Sequence, residues 1–268
     1  MLSQPPVHLH RHRVADQIVE DLRAQILDGR LADGTKLPSE KELAAHYDVS
    51  GPTIREAVRV LTAMGLINLR NGARATVTAQ TGPLLAMALA SVVQFEKLGA
   101  RDVLGLLGAL HAYAAELAAE QAAEEEIARL REAAELTRDL TGPTAVAALR
   151  TYFRTLAEVS HNPLLAALCT CITDFQLGLA SEMLDKRPDG WSRIAGSVAD
   201  LRVQIVDAIA ARDGALAAQL VRDYHRRVVE RIQSLPEAER LRADDPGLNV
   251  ALSRWLATNV GLATSAPR

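Results

Sequence analysis

The chain has 268 residues, a formal net charge of −3, and 49% hydrophobic, 24% charged and only 3% aromatic residues. That length makes two globular domains the expectation, and the composition excludes a chain too polar to build a core. The near-neutral balance also excludes nucleic-acid binding through bulk positive charge, so any such activity has to come from a local patch.

Alanine and leucine outweigh the aromatics, which favours helices over sheets. No uninterrupted apolar run reaches the ~18 residues needed to span a bilayer. The opening MLSQPPVHLHRHR lacks the apolar stretch of a signal peptide, so a cytoplasmic protein with no membrane partner is expected. Cys169 and Cys171 stand two apart in an apolar helical stretch. They point to different helix faces, which argues against a disulfide or a chelate.

Residues 1–12 are aperiodic and carry Pro5, Pro6 and the alternating His8, His10 and His12, which read as a flexible arm with weak positive charge. Residues 13–80 read as a first domain. Val14, Ile18, Leu22 and Ile26 recur every fourth position and predict an amphipathic helix that stops at Gly29. A polar loop with Gly34 and Pro38 follows. Ser39 with Glu42 three residues later is a capping box that opens a second helix. A third begins around Ser50-Gly51-Pro52, with proline acceptable in the first turn, and ends near Gly65. Residues 66–70 and 74–78 read as short strands joined through Asn71-Gly72, the strongest two-residue hairpin signal. Two short helices, a tight turn and a hairpin in that order build a winged helix-turn-helix.

From residue 83 to about 235 the pattern is helical, with breaks at Gly99, near Ala122, at Thr141-Gly142-Pro143, Asn162-Pro163, Pro188-Asp189-Gly190 and Asp213-Gly214. Six or seven helices of ordinary length are predicted, forming an all-helical effector-binding and dimerisation domain. Residues 236–268 are a C-terminal extension: a joint rich in proline and acids, then a possible helix with Leu252, Trp255 and Leu256. Trp255 and Leu256 fit either the bundle or a dimer contact. The predicted fold class is mainly α, a winged helix-turn-helix with a small β-hairpin wing plus a C-terminal helical bundle.

In the third helix Ile54, Ala57, Val58 and Leu61 fall on one face and are expected to pack inward. The other side displays Thr53, Arg55, Glu56, Arg59 and Thr62. Arg55 and Arg59 stand one turn apart and project together, as a helix in the major groove requires. Guanidinium groups fork onto guanine O6 and N7 or clamp phosphates. Between residues 51 and 79 the charges are Arg55, Arg59, Arg70 and Arg74 against Glu56 alone. One such arginine would be an ordinary solvated side chain; the set, on a capped helix beside a wing, points to double-stranded operator DNA.

The text DGRLADGTKLPSEKELAAHYDVSGPTIREAVRVLTAMGLI resembles the GntR family of bacterial transcription regulators, whose usual pattern is GxLxPGxxLPSExxLAxxxxVSRxxVREAxxxLxxxGL. The likeness covers about a quarter of the chain. It implies a homodimer on a palindromic operator, with DNA contacts at Lys41, Ser50, Thr53, Arg55 and the wing around Asn71 and Gly72. The family usually has arginine after the VS pair, a base-reading position, and here it is Gly51. That removes a bidentate reader worth ~1–3 kcal/mol of discrimination. Either the operator differs at that base, or Arg59 and Arg74 take more of the reading, Arg74 by entering a minor groove.

The helical domain resembles the FCD class of that family (the FadR subfamily), through LAAEQAAEEEIARL and LAEVSHNPLLAAL. Typical members hold a divalent metal with an Asp and three His and bind carboxylates beside it. The aligned positions here are Arg150, Arg154, Arg202 and Tyr224, and the family's carboxylate-binding arginine is Leu107. Guanidinium has no lone pair to donate, so the resemblance implies a domain without the family metal and with no cofactor. Arg150, Phe153, Arg154 and Ala157 share a helix face, Arg202 shares one with Ile205 and Ile209, and Leu107 with Leu110 and His111. Two readings stand for the arginines. One is internal pairing, with Glu116 or Glu158 for example, or an outward direction. The other is an anionic head on the arginines with an apolar tail between the helices. The second implies a fatty acid or acyl-CoA as effector, as in the metal-free, fatty-acyl-responsive branch. The alternative is a sensor of a metal-bound small carboxylate. His225 beside Tyr224 would reach the cavity only by a small register change, and His161 reads as a helix-end residue. No nucleophile–base set, phosphate loop or paired-histidine metal motif is present in the sequence, so an enzyme is not expected.

Overall fold

The computed structural model describes residues 12–68, 74–78, 81–138, 144–185, 189–234 and 255. The arm up to Arg11, the Asn71-Gly72 tip and all of the C-terminal extension except Trp255 lie outside the described residues. Two units divide at Leu84/Leu85.

In the first unit α1 (His12–Leu27) buries Ala15, Ile18, Val19, Leu22 and Ile26. Val14, the first member of the expected stripe, is 40% exposed, and the buried face begins instead at the next residue, Ala15. Gly29, at φ +79, turns the chain out of the helix. The helix α2 (Glu40–His46) opens on the expected capping box: Ser39 Oγ accepts from the Glu42 amide and Glu42 Oε2 accepts from the Ser39 amide at 2.6 Å. After a turn with Asp48 at φ 51, α3 (Gly51–Ala63) starts at Ser50 with Pro52 in its first turn, and Gly65 at φ +70 ends it. Ile54, Ala57, Val58 and Leu61 are buried, as their spacing requires.

The strands β1 (Ile67–Asn68) and β2 (Thr76–Val77) pair antiparallel, with Ile67 opposite Val77. Their other edge was not expected. The loop before α2 runs beside β2, with the Leu37 amide donating to Ala75 O and the Val77 amide to Thr35 O, each at 2.8 Å. Leu37 is thereby buried with Leu22, Leu43, Ile54 and Leu61 in one core. What reads as a polar loop is an edge strand in function, because only Leu37 in it is apolar enough to show.

In the second unit the helices are α4 (Thr81–Phe95), α5 (Ala100–Gln121), α6 (Glu124–Glu135), α7 (Thr144–Glu158), α8 (Pro163–Leu184), α9 (Gly190–Ile194), α10 (Ala199–Ala210) and α11 (Gly214–Gln233). Among the described residues this is seven helices of ordinary length plus the short α9 and a 3₁₀ turn at Gly196–Val198. Asn162 caps α8 by accepting from the Leu165 amide, and Asp213 caps α11 by accepting from the Leu216 amide. The long α5 lies centrally, packed against α7, α8, α10 and α11. Both α5 and α8 are long and apolar enough to pass as membrane spans by length and composition, despite the lack of an unbroken apolar run. Their apolar faces are instead the core of this bundle.

Two apolar clusters flank α5. The larger joins α5, α6, α7, α10 and α11; the other joins α4, α5 and α8 and contains Trp255. The Trp255 ring meets Phe175 edge-on at 5.0 Å, so this part of the extension lies on the bundle. Cys171 belongs to that cluster, and Cys169 to a third with Ala114, Ala157 and Leu165. Both thiols are free, on different faces of α8, and burial pushes them up to about 12 for Cys169 and about 11 for Cys171.

Candidate functional site

On the first unit the outward face of α3 carries Thr53, Arg55, Glu56 and Arg59. Among the described residues Arg55 has no ion pair, and Arg59 has only a loose one with Glu56 at 3.9 Å, both side chains largely exposed. Such a contact is too weak to hold the guanidinium back from a ligand. Ser50 Oγ and Thr53 Oγ1 lie 2.9 Å apart and fix the first turn. Gly51 is helical with open space around it, so its lack of a side chain answers no steric demand. Lys41 is exposed on α2. Arg74 sits 3.7 Å from Glu42, the acid of the capping box, which ties the base of the hairpin to the start of α2. Asn71 and Gly72 lie outside the described residues.

The second unit places the expected effector residues in three different settings. Leu107 is fully buried in the α4–α5–α8 cluster. His111, Phe153, Arg202 and Tyr224 are buried in the bundle interior. Arg150 and Arg154 are at the surface: Arg150 bonds Asp174 at 2.5 Å, and Arg154 pairs with Glu158 one turn on at 3.7 Å. An inward arginine face on α7 is therefore corrected. The buried positions of this helix are Ala145, Leu149, Tyr152, Phe153, Leu156 and Ala157. At ~100° per residue, positions 150 and 154 fall roughly 20° and 60° beyond the edge of that stripe at Ala157.

Arg202 is fully buried, yet among the described residues no carboxylate meets it. Its Nε donates to Thr137 Oγ1 at 2.6 Å, its Nη2 to Thr137 O at 2.8 Å and its Nη1 to Tyr224 Oη at 3.3 Å. Neutral oxygens and the Tyr224 ring, 5.5 Å from its carbon, satisfy the charge. The expectation that it requires an anion is corrected: the bundle itself supplies its acceptors.

Beside it lies a histidine pair. His111 Nδ1 and His225 Nε2 are 3.1 Å apart, and His111 Nε2 is 3.3 Å from Thr173 Oγ1. Phe153 stacks on His111, ring centroids 4.5 Å apart and nearly parallel. Burial drives both imidazoles toward the neutral form, His225 down to about 3 and His111 well below its ordinary value, with His225 adding repulsion to the latter. Two imidazoles converge here without a third ligand: among the described residues no three His, Cys, Asp or Glu side chains gather at one point. The side chains present do not match an Asp-and-three-His centre. The space left between Phe153, Tyr224, His225 and Trp191 is only about 30 Å³.

Comparison with known proteins gives this arrangement its family. Residues 14–77 match "Bacterial regulatory proteins, gntR family", and residues 102–227 match the FCD domain. The chain belongs to the GntR family. It is a transcription regulator of the GntR/FCD type, and its relatives are regulators rather than enzymes. The HTH-type transcriptional repressor NanR of Cronobacter sakazakii is 26% identical over 246 residues, spanning 87% of this chain and 91% of the relative. NanR of Salmonella newport is 27% identical over 218 residues, 76% of this chain and 80% of the relative. A solved Streptococcus agalactiae GntR structure has the same fold, with a TM-score of 0.62 and 22% identity over 82% of this chain and 100% of its own.

Within this GntR protein the sequence reading passed over Thr137 and Thr173, and its expectation that His225 needs a register change to reach the interior is corrected. The signal for His225 was present. The α11 face Ala217, Ala218, Val221, Tyr224, His225 and Val228 buries adjacent pairs at each turn, so Tyr224 and His225 both point inward with no change of register. Thr137 and Thr173 gave no comparable signal, since an isolated threonine in a helical stretch is most often exposed.

Proposed function

We propose that this chain is a homodimeric, metal-free transcriptional repressor in the cytoplasm. It binds a palindromic operator through α3 and is released by a fatty acid or acyl-CoA held in the helical unit. The observation that carries the reading is the outward face of α3, where Arg55 stands free of ion pairs among the described residues on a helix fixed by the buried Ile54, Ala57, Val58 and Leu61. A rigid helix with two exposed guanidinium groups one turn apart, Arg55 without an ion pair among the described residues and Arg59 only loosely paired with Glu56, suits base edges and phosphates. Lys41, Ser50, Thr53, Arg59 and the wing residues Asn71, Gly72 and Arg74 complete the proposed DNA contacts.

Three further features support the finer parts. Repression accords with the repressors named among the relatives. Val92, Phe95, Leu106 and Tyr113 leave apolar surface on α4 and α5 that a second copy would cover. A metal-free domain accords with Arg202 and Tyr224 bonded to each other at two positions aligned with family ligands. Release requires that the effector bind the DNA-free arrangement more tightly than the DNA-bound one.

DNase footprinting of the region upstream of the protein's own gene tests the proposal. A protected palindrome that is lost on adding dodecanoyl-CoA is expected. Protection that no acyl compound alters would remove the acyl effector, and native mass spectrometry showing a stoichiometric divalent ion would favour a metal-bound carboxylate instead.

A further inference from the structure

The acyl-responsive reading leaves open where an anionic head would sit, since Arg150 and Arg154 are engaged at the surface and Arg202 is satisfied within the bundle. A different place in the same unit has the room. A groove of about 480 Å³ runs between the start of α5 and the second half of α11. That volume lies within the usual range of small-molecule sites. Three arginines line it, Arg101 from α5 and Arg222 and Arg226 from α11, against one acid, Glu230. Among the described residues Arg101 and Arg222 have no ion pair, while Arg226 pairs with Asp223 at 2.6 Å. Between the arginines the floor is apolar: Leu104, Gly105, Gly108 and Val229.

The two glycines differ in a telling way. A glycine inside a helix is unfavourable relative to alanine and calls for a reason. For Gly108 the reason is packing, because a Cβ there would stand 3.0 Å from His225 Cβ. For Gly105 packing supplies none: a Cβ would meet nothing within 4 Å, and its backbone is ordinary helix. What the missing side chain at 105 does is keep the groove floor open. His225, which is buried, also lines this groove, and among the described residues its Nδ1 has no hydrogen-bond partner.

We propose that the α5–α11 groove is the binding site for an amphiphilic anion, its carboxylate or phosphate head on Arg101, Arg222 and Arg226 and its apolar part on the floor opened by Gly105. The inference rests on the acyl-responsive reading above and assigns its head group to arginines that the sequence did not single out. Guanidinium forks suit both head chemistries. The apolar floor selects against a bare anion.

The test is titration of the full-length protein with cis-parinaric acid, whose fluorescence rises in apolar surroundings, followed by displacement with dodecanoate, dodecyl phosphate or inorganic phosphate. Saturable binding is expected, with displacement by both dodecyl compounds and none by inorganic phosphate. Gly105→Leu, whose Cβ meets nothing within 4 Å and whose side chain occupies the floor, and Arg222→Gln/Arg226→Gln, which removes the charge, should each weaken binding at least tenfold. Arg227→Gln, outside the groove, should leave it unchanged. Circular dichroism melts identify any variant that loses its fold, and the two independent changes keep the comparison available if one does. Full affinity in both folded groove variants would overturn the site while leaving an acyl-responsive regulator intact. No saturable binding to the unaltered protein would overturn both. Displacement by inorganic phosphate as effective as by dodecanoate would overturn the amphiphile.

Discussion

His225 Nε2 lies 3.1 Å from His111 Nδ1 in a fully buried contact between α11 and α5, with Phe153 stacked on the His111 ring. The pair joins the two helices at the middle of the bundle, and it fixes how this domain responds to acid. Both imidazoles are held neutral by burial. Their folded-state affinity for protons is depressed, that of His225 to about 3, so below pH ~6.5 the unfolded chain binds protons that the folded chain refuses. Stability is unaffected by this pair above pH ~6.5 and falls as pH drops below it, by up to ~1.4 kcal/mol per pH unit for each histidine. Urea unfolding followed at pH 7.5 and pH 5.0 should show this loss. The double variant His111→Leu/His225→Leu should reduce the difference between the two pH values; an unchanged difference would show that other groups carry it.

Thr137 holds Arg202 through both its hydroxyl and its carbonyl. Thr137→Val keeps the shape and the carbonyl but leaves Nε of a buried guanidinium without an acceptor. A loss of about 1–3 kcal/mol in urea unfolding is expected. Thr137→Ser, which keeps the hydroxyl, should recover most of it. Equal losses for the two would mean that the methyl group, not the hydrogen bond, is what matters.

Gly105 and Gly108 lie three residues apart on α5 and separate helix propensity from packing. Gly105→Ala should raise the urea midpoint, by about 0.5–1 kcal/mol of stability, because the new methyl meets nothing. Gly108→Ala gains the same propensity but must displace His225, whose Cβ would be 3.0 Å away. It should therefore be clearly less stable than Gly105→Ala. The midpoints of the two variants, measured side by side, decide the matter.

Arg55 and Arg59 are both exposed on α3, but only Arg59 has an acid, Glu56, near it. Arg55→Ala is expected to weaken DNA binding at least tenfold and to lower the slope of log affinity against log salt by ~1 if its contact is to phosphate. If its contact is to a base, the slope should hold and preference for the operator over random DNA should fall instead. Binding to operator and random duplexes across a salt series separates these outcomes.

The DNA-binding unit was legible because its signals are local. Ser39 with Glu42 writes the start of α2, and Ser50 with Pro52 the start of α3, within four residues in each case. The pairing of Thr35 and Leu37 with β2 was not legible, because it joins segments about 40 residues apart and only Leu37 carries an apolar mark. In the bundle, helix boundaries could be read from Gly99, Asn162 and Asp213, but the direction of each face is less secure. On α7 a stripe displaced by one residue turns Arg150 and Arg154 from inside to outside, and on α11 a stripe wide enough for adjacent pairs buries His225 together with Tyr224. The α5–α11 groove left no motif, since its arginines come from helix positions more than a hundred residues apart.

The most direct test of the account is a fluorescence-anisotropy titration of the full-length protein with DNA from upstream of its own gene, at ~150 mM salt, against a random duplex of equal length. Binding to the upstream DNA is expected to be at least a thousandfold tighter than to the random duplex, as a dimer, with that preference lost in Arg55→Ala or on adding dodecanoyl-CoA. Equal affinity for the two duplexes, or a preference unaltered in Arg55→Ala, would contradict it.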